Sequence, residues 1–177
     1  NTVQALRQRG ITSVTLVYDD SLFGNDRWPN GIAELDPDHV YYAPTASMAV
    51  DGGRNWNGAN PTDPDTFSTY PVLSTQPARE AALVFAQRLT ERGIAVNGSV
   101  EQGAVPDGTS PIATVSSASL NEIMAFMLRH SDNSLAEEFG RLLALHLNAD
   151  NSPAGAVQSV EQVLAQRGIS AEGLTMI

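Results

Sequence analysis

The chain has 177 residues, 42% of them hydrophobic and 17% charged, which fits one globular domain or parts of two and excludes a disordered segment. No apolar run approaches the roughly 18 residues of a membrane span, and no basic stretch leads into an apolar one as in a signal peptide. The net charge of -10 is spread along the chain and repels phosphate backbones, which argues against nucleic acid as a partner.

In chain order, Thr2 to Arg9 has helical composition and is closed by Gly10. Ile11 to Tyr18 is β-branched and apolar and predicts a buried strand. A turn-rich stretch follows Asp19-Asp20 and runs through Asn25, Trp28-Pro29 and Gly31. From Asp51 to Pro77 the chain is crowded with Gly, Asn, Asp and Pro and predicts a long loop. Pro77 then suits a first helical turn, Ala81, Leu83, Val84 and Leu89 recur near helical spacing, and Gly93 ends the element. Ile94 to Val100 alternates like a strand.

The last third is mostly helical. Ser119 and Glu122 have capping-box spacing. Leu120, Ile123, Met124, Met127 and Leu128 behind them follow the rule of a buried helical face. Ser134 and Glu137 repeat the capping spacing, and Leu135, Phe139, Leu142 and Leu143 predict a second apolar face. Pro153 to Arg167 predicts a third helix, stopped by Gly168. The fold class is therefore α/β (α+β), with a mixed part to about Ser117 and a helical part from about Ala118.

Chemistry is constrained by two absences. There is no cysteine, which removes disulfides, thiolate catalysis and cysteine metal sites. All ten basic residues are arginines, so a mechanism that needs a lysine must find it outside these residues. The sharpest local feature is Ser131-Asp132-Asn133, a corner between two amphipathic helices. A hydroxyl and a carboxamide two residues apart can relay a proton and hold a carbonyl, as acyl transfer requires. The same three residue types are also favoured helix N-caps.

Other polar groups read more plainly. Asp19-Asp20 reads as a strand-end turn before a metal pair. Asp51 to Asp65 lacks the spacing and closing glutamate of a calcium loop. His39, His130 and His146 share no ligand spacing, and His130 reads as a helix-end histidine beside the corner. Met124 and Met127 read as core.

The segment His130-Ser-Asp-Asn-Ser-Leu-Ala-Glu-Glu138, directly after the helix Ile123 to Arg129, resembles the second motif of the D-alanyl-D-alanine carboxypeptidase/endopeptidase family. These serine peptidases are the low-molecular-mass class C penicillin-binding proteins. Leu16 to Phe23, Tyr42 to Ser47 with Val50 to Arg54, and Gly93 to Val100 leading into Gly103 to Pro106 are similar to the same family, in order. Family members use S-x-x-K, S-D-N and K-T-G, and a lysine-free chain can hold only the middle one. The resemblance implies an inner segment of a penicillin-recognising serine transpeptidase/β-lactamase-like fold, with 1–117 as an inserted α/β domain and 118–177 on the helical side of the catalytic domain. The first motif is expected upstream of Asn1, whose lack of a methionine reads as a cut or processed start. The third is expected downstream of Ile177.

The resemblance further implies catalytic roles for Ser131 and Asn133, with Asn133 also binding the substrate backbone and Asp132 structural. It implies peptidoglycan stem peptides as substrates, acylation by β-lactam antibiotics, no metal or cofactor, and a place outside the bacterial cytoplasmic membrane. A non-catalytic wall-peptide binding protein of the same fold and a β-lactamase-like hydrolase are the other classes compatible with these residues. The long region before Ser131 argues against the last.

Overall fold

The computed structural model describes residues 1–55 and 71–176. It is a mixed structure of helices and two small parallel ladders. Helix α1 spans Thr2–Gln8 and leads to strands β1 (Ser13–Val14) and β2 (Val17–Tyr18). After a short helix α2 (Ile32–Leu35) comes a single 3₁₀ turn, Asp51–Gly53. The long helix α3 (Pro77–Glu91) follows, then β3 (Ala95–Val96) and β4 (Glu101–Gln102). Helices α4 (Leu120–His130), α5 (Asn133–His146) and α6 (Pro153–Gln166) complete the order.

Two clusters hold these elements together. The first is Leu6, Leu89 and Ile94, each at most 3% exposed, with Val3, Ile11, Val14 and Val96 packed around them. It joins α1, α3 and the β1–β3 ladder, in which Ser13 faces Ala95 and Val14 faces Val96. The second is the α5–α6 hairpin. Gly140 lets the helices approach, since a Cβ there would meet the Ala156 Cβ at 3.2 Å. Ala144 and Ser159 are fully buried in the same seam. The Ser159 hydroxyl is satisfied by the Gly155 carbonyl at 2.7 Å, as a buried donor requires.

The structure departs from the sequence reading in several places. Ile11 to Tyr18 does not form one buried strand. It forms two two-residue pieces with different partners, β1 on β3 and β2 on β4, and Val17 is 51% exposed. The expected strand over Ile94 to Val100 is limited to Ala95–Val96, because Gly98 at φ +73° turns the chain away before β4. The expected buried face of α4 is not buried: Leu120, Met124 and Leu128 are exposed, and no residue of this helix is buried. Met124 and Met127 are therefore not core among the described residues. On α5 the buried residues are Arg141 and Ala144, while Leu142 is 42% exposed.

Helix punctuation is as expected for α4, where the Ser119 amide and hydroxyl both donate to Glu122. It is as expected for α3 and α6 as well, with Pro77 and Pro153 in their first turns. The capping box expected at Ser134 and Glu137 does not form. Asp132 caps α5 instead, its carboxylate accepting the Leu135 amide at 2.9 Å. Of the predicted Asp51 to Pro77 loop, the described ends are drawn together by an antiparallel bridge between Arg54 and Leu73. Much of the calcium-like stretch, 56–65, lies outside the described residues.

Candidate active site

The corner between α4 and α5 is built from local backbone chemistry. Helix α4 ends with Ser131 at φ 53°, ψ 43°, a left-handed conformation that a residue with a Cβ adopts at a cost of about 1–2 kcal/mol. The Asp132 amide donates to the Met127 carbonyl at 3.1 Å and closes that turn. Asp132 then returns to extended geometry, caps α5, and leaves Asn133 as the first residue of the new helix. Strain at Ser131 thus lies between two fixed points, as observed at functional corners elsewhere.

Ser131, Asp132 and Asn133 line a cavity of about 220 Å³ together with Tyr41, Arg54 and His130. Ser131 is exposed and Asn133 half-buried. Among the described residues, neither the Ser131 hydroxyl nor the Asn133 carboxamide has a hydrogen-bond partner. An exposed hydroxyl in fixed backbone and a carboxamide beside it can donate to and accept from a molecule entering the cavity. His130 stacks on Phe126 with centroids 4.0 Å apart, and its Nδ1 lies 2.9 Å from the Phe126 carbonyl oxygen.

The opposite wall comes from residues far away in sequence. The Ala43 amide donates to the Ser134 hydroxyl at 3.0 Å, which fixes the Tyr42 to Ser47 stretch to the first turn of α5. Asp36 shapes the approach to that stretch. Burial opposes its charge, but the amides of Val40, Tyr41 and Tyr42 each donate to it at 2.9 Å and hold its carboxyl below the ordinary aspartate range. Asp19 and Asp20 form the expected turn: Asp19 accepts from the Ser21 amide and hydroxyl, and Asp20 accepts from Ser47 and pairs with Arg27 at 3.1 Å.

Two charged residues escaped the sequence reading. Arg54 reaches the corner from the 3₁₀ turn, with Nη2 3.5 Å from Asp132 Oδ2. Glu138, in the second turn of α5, lines a second cavity behind Asp132 together with Arg54 and Ser134. Burial pushes its carboxyl up to about 7, the negative charge of Asp132 adds to this, and the Ala46 amide works the other way. Both stand in stretches that resemble the family, Val50 to Arg54 and His130 to Glu138, but the sequence alone gives neither a role there.

Comparison with known proteins finds a family model and similar sequences. A family model for the D-Ala-D-Ala carboxypeptidase 3 (S13) family matches residues 55–177. Carboxypeptidase Rv3627c of Mycobacterium tuberculosis (strain ATCC 25618 / H37Rv) is 29% identical over 175 residues, which cover 99% of this chain and 35% of that protein. Carboxypeptidase DacB of Mycolicibacterium smegmatis (strain ATCC 700084 / mc(2)155) is 30% identical over 172 residues, 97% of this chain and 35% of that protein. The chain thus spans about a third of the length of the curated relatives it matches.

Proposed function

The chain belongs to the D-Ala-D-Ala carboxypeptidase 3 (S13) family, and from that premise we propose that it is the inner part of a serine-type carboxypeptidase acting on peptidoglycan stem peptides. The observation that carries the reading is the Ser131-Asp132-Asn133 corner, held in strained geometry and open to a cavity. In this reading the nucleophilic serine and its lysine, in an S-x-x-K motif, and the lysine of K-T-G lie outside these lysine-free residues.

The corner's part in the chemistry follows from its groups. The nucleophile attacks the carbonyl between the two terminal D-alanines, and its proton passes to the motif lysine. The Ser131 hydroxyl accepts that proton and hands its own to the amine of the departing D-alanine, so the C–N bond breaks to a neutral leaving group. The Asn133 carboxamide donates to a backbone carbonyl of the peptide and fixes the scissile bond in line. Water then hydrolyses the acyl-enzyme by the reverse proton path. A β-lactam presents the same amide in a ring and acylates the same serine. No step calls for a metal or cofactor, and the substrate places the protein outside the cytoplasmic membrane. Cleavage of cross-linked peptides by the same route is the natural extension of this activity.

The test is release of D-alanine from a stem pentapeptide by the full-length protein. Ser131→Ala and Asn133→Ala are each expected to slow release by roughly 10²–10⁴. No release from a protein with an intact S-x-x-K would overturn the reading and favour a wall-peptide binding protein of the same fold.

A further inference from the structure

The Asp51-Gly52-Gly53-Arg54 turn has no task in the chemistry above, yet it delivers a cation to the one corner residue that chemistry leaves out. Asp132 uses its two oxygens differently. Oδ1 accepts the Leu135 amide at 2.9 Å, and Oδ2 faces Arg54 Nη2 at 3.5 Å. The pair is well covered, with side-chain exposures of 23% for Arg54 and 10% for Asp132. It lies between the two cavities and lines both.

Arg54 is itself moored. Its backbone bridges to Leu73, its amide donates to the Asp51 carbonyl at 3.1 Å, and Nη1 donates to that same oxygen at 3.1 Å. Gly52 provides the space. It sits at φ +61°, and a Cβ there would lie 2.8 Å from Arg54 Nη1. A side chain at position 52 would be strained in backbone and would push the guanidinium aside.

We propose that Arg54 is a positioning residue for the reaction, holding the Asp132 carboxylate so that Ser131 and Asn133 keep their geometry toward substrate. This rests on the acyl-transfer reading above. With Arg54 gone, the Asp132 carboxylate is free to rotate toward water. The cap on α5 then loosens, and Ser131 loses one of the two fixed points that keep it left-handed. A displacement of about 1 Å at such a group costs on the order of 10²-fold in rate.

The experiment is the kinetics of acylation by a fluorescent penicillin, in the full-length protein, for Arg54→Ala, Arg54→Lys, Gly52→Ala, Asp132→Asn and the Arg54→Ala/Asp132→Asn double variant. Active sites are counted by label stoichiometry, so that misfolded molecules do not enter the rates. Arg54→Ala is expected to lower the acylation rate constant roughly 10–100-fold with little change in the preceding binding constant. Arg54→Lys should recover part of the loss, and Gly52→Ala should reproduce it. In the Asp132→Asn background, Arg54→Ala should cost less than about twofold, because its partner charge is already absent.

Equal losses in both backgrounds would show that Arg54 acts elsewhere, on the substrate itself, and would overturn the proposal. A rate for Arg54→Ala within twofold of wild type would overturn it as well. Should Arg54→Ala fail to fold, Arg54→Lys and Gly52→Ala decide the matter by the same comparison. A wild-type protein that takes no label sinks the acyl-transfer reading, and the proposal with it. That outcome is distinct from labelled wild type with unaffected variants.

Discussion

The guanidinium of Arg141 donates to the Phe23 carbonyl at 2.6 Å, from the middle of α5 to a loop 118 positions earlier. The same side chain donates to the Asp26 carbonyl at 2.7 Å and to the Asn151 carbonyl at 2.8 Å and its Oδ1 at 3.0 Å. Its side chain is fully buried, with Glu137 at 3.9 Å. One arginine therefore joins α5, the start of α6 and the 20–30 loop. A planar fork of donors suits this task in a way an ammonium does not.

Replacing Arg141 leaves three carbonyls without their donor, two of them contributed by the loop. Arg141→Leu is expected to destabilise the protein by about 3–5 kcal/mol in denaturant unfolding, since buried polar groups lose their partners. Arg141→Lys should recover less than half of that. A loss below about 1 kcal/mol for Arg141→Leu would mean that water or a neighbour replaces the guanidinium.

Ser131 couples stability to function. Its left-handed backbone is strained for serine and natural for glycine. Ser131→Gly is expected to raise stability by about 0.5–1 kcal/mol, while Ser131→Ala is neutral or destabilising. Both remove the hydroxyl and should lose activity alike. Thermal melts set beside D-alanine release check the pair, and a Ser131→Gly protein that melts earlier than wild type contradicts the strain assignment.

Glu138 gives a dependence on pH with a definite sign. Its folded value of about 7 lies above the ordinary 4.5. Its stabilising share is therefore complete below 4.5 and is lost as the pH rises toward 7. Glu138→Gln removes the dependence. At pH 8 it should be more stable than wild type by on the order of 1–3 kcal/mol, and at pH 4.5 nearly equal to it. Equal differences at the two pH values would show that the carboxyl is not displaced in the folded protein.

Asp36 carries the opposite sign. Its carboxyl is held below the ordinary 3.8 by three amides. Its contribution is present above 3.8 and is lost as the pH falls through the lowered folded value. Asp36→Asn should cost about 1–3 kcal/mol at pH 7, and much less at pH 2.5. Urea midpoints at the two pH values test this, and a cost that does not shrink in acid contradicts it.

What was legible in the sequence is local. Pro77 and Gly93 bound α3, Ser119 and Glu122 cap α4, and Pro153 opens α6. Such signals act over one helical turn and depend little on distant packing, with Ser134 the exception, its hydroxyl accepting the Ala43 amide instead of capping α5. The Ser131 corner was legible for the same reason, since its residues stand between two periodic runs. The partners of the corner were not. Arg54 meets Asp132, and Ala43 meets Ser134, through chain paths that no periodicity encodes. The short strands were misread because a β-branched run states a preference, while the ladder partner decides where pairing stops. On α4 the pattern of Leu120, Met124 and Leu128 showed amphipathicity correctly, but a pattern does not state that a neighbour covers it. On α5 one of the two buried residues is Arg141, which a hydrophobic count passes over.

In the proposed mechanism Ser131 and Asn133 serve an acyl-enzyme formed elsewhere in the same protein. The most direct measurement is labelling of the full-length protein with a fluorescent penicillin, followed by peptide mapping of the adduct. One label is expected on the serine of an S-x-x-K segment outside these 177 residues, with labelling slowed by roughly 10² or more in Ser131→Ala. A label on Ser131 itself, or none at all with that segment intact, would contradict it.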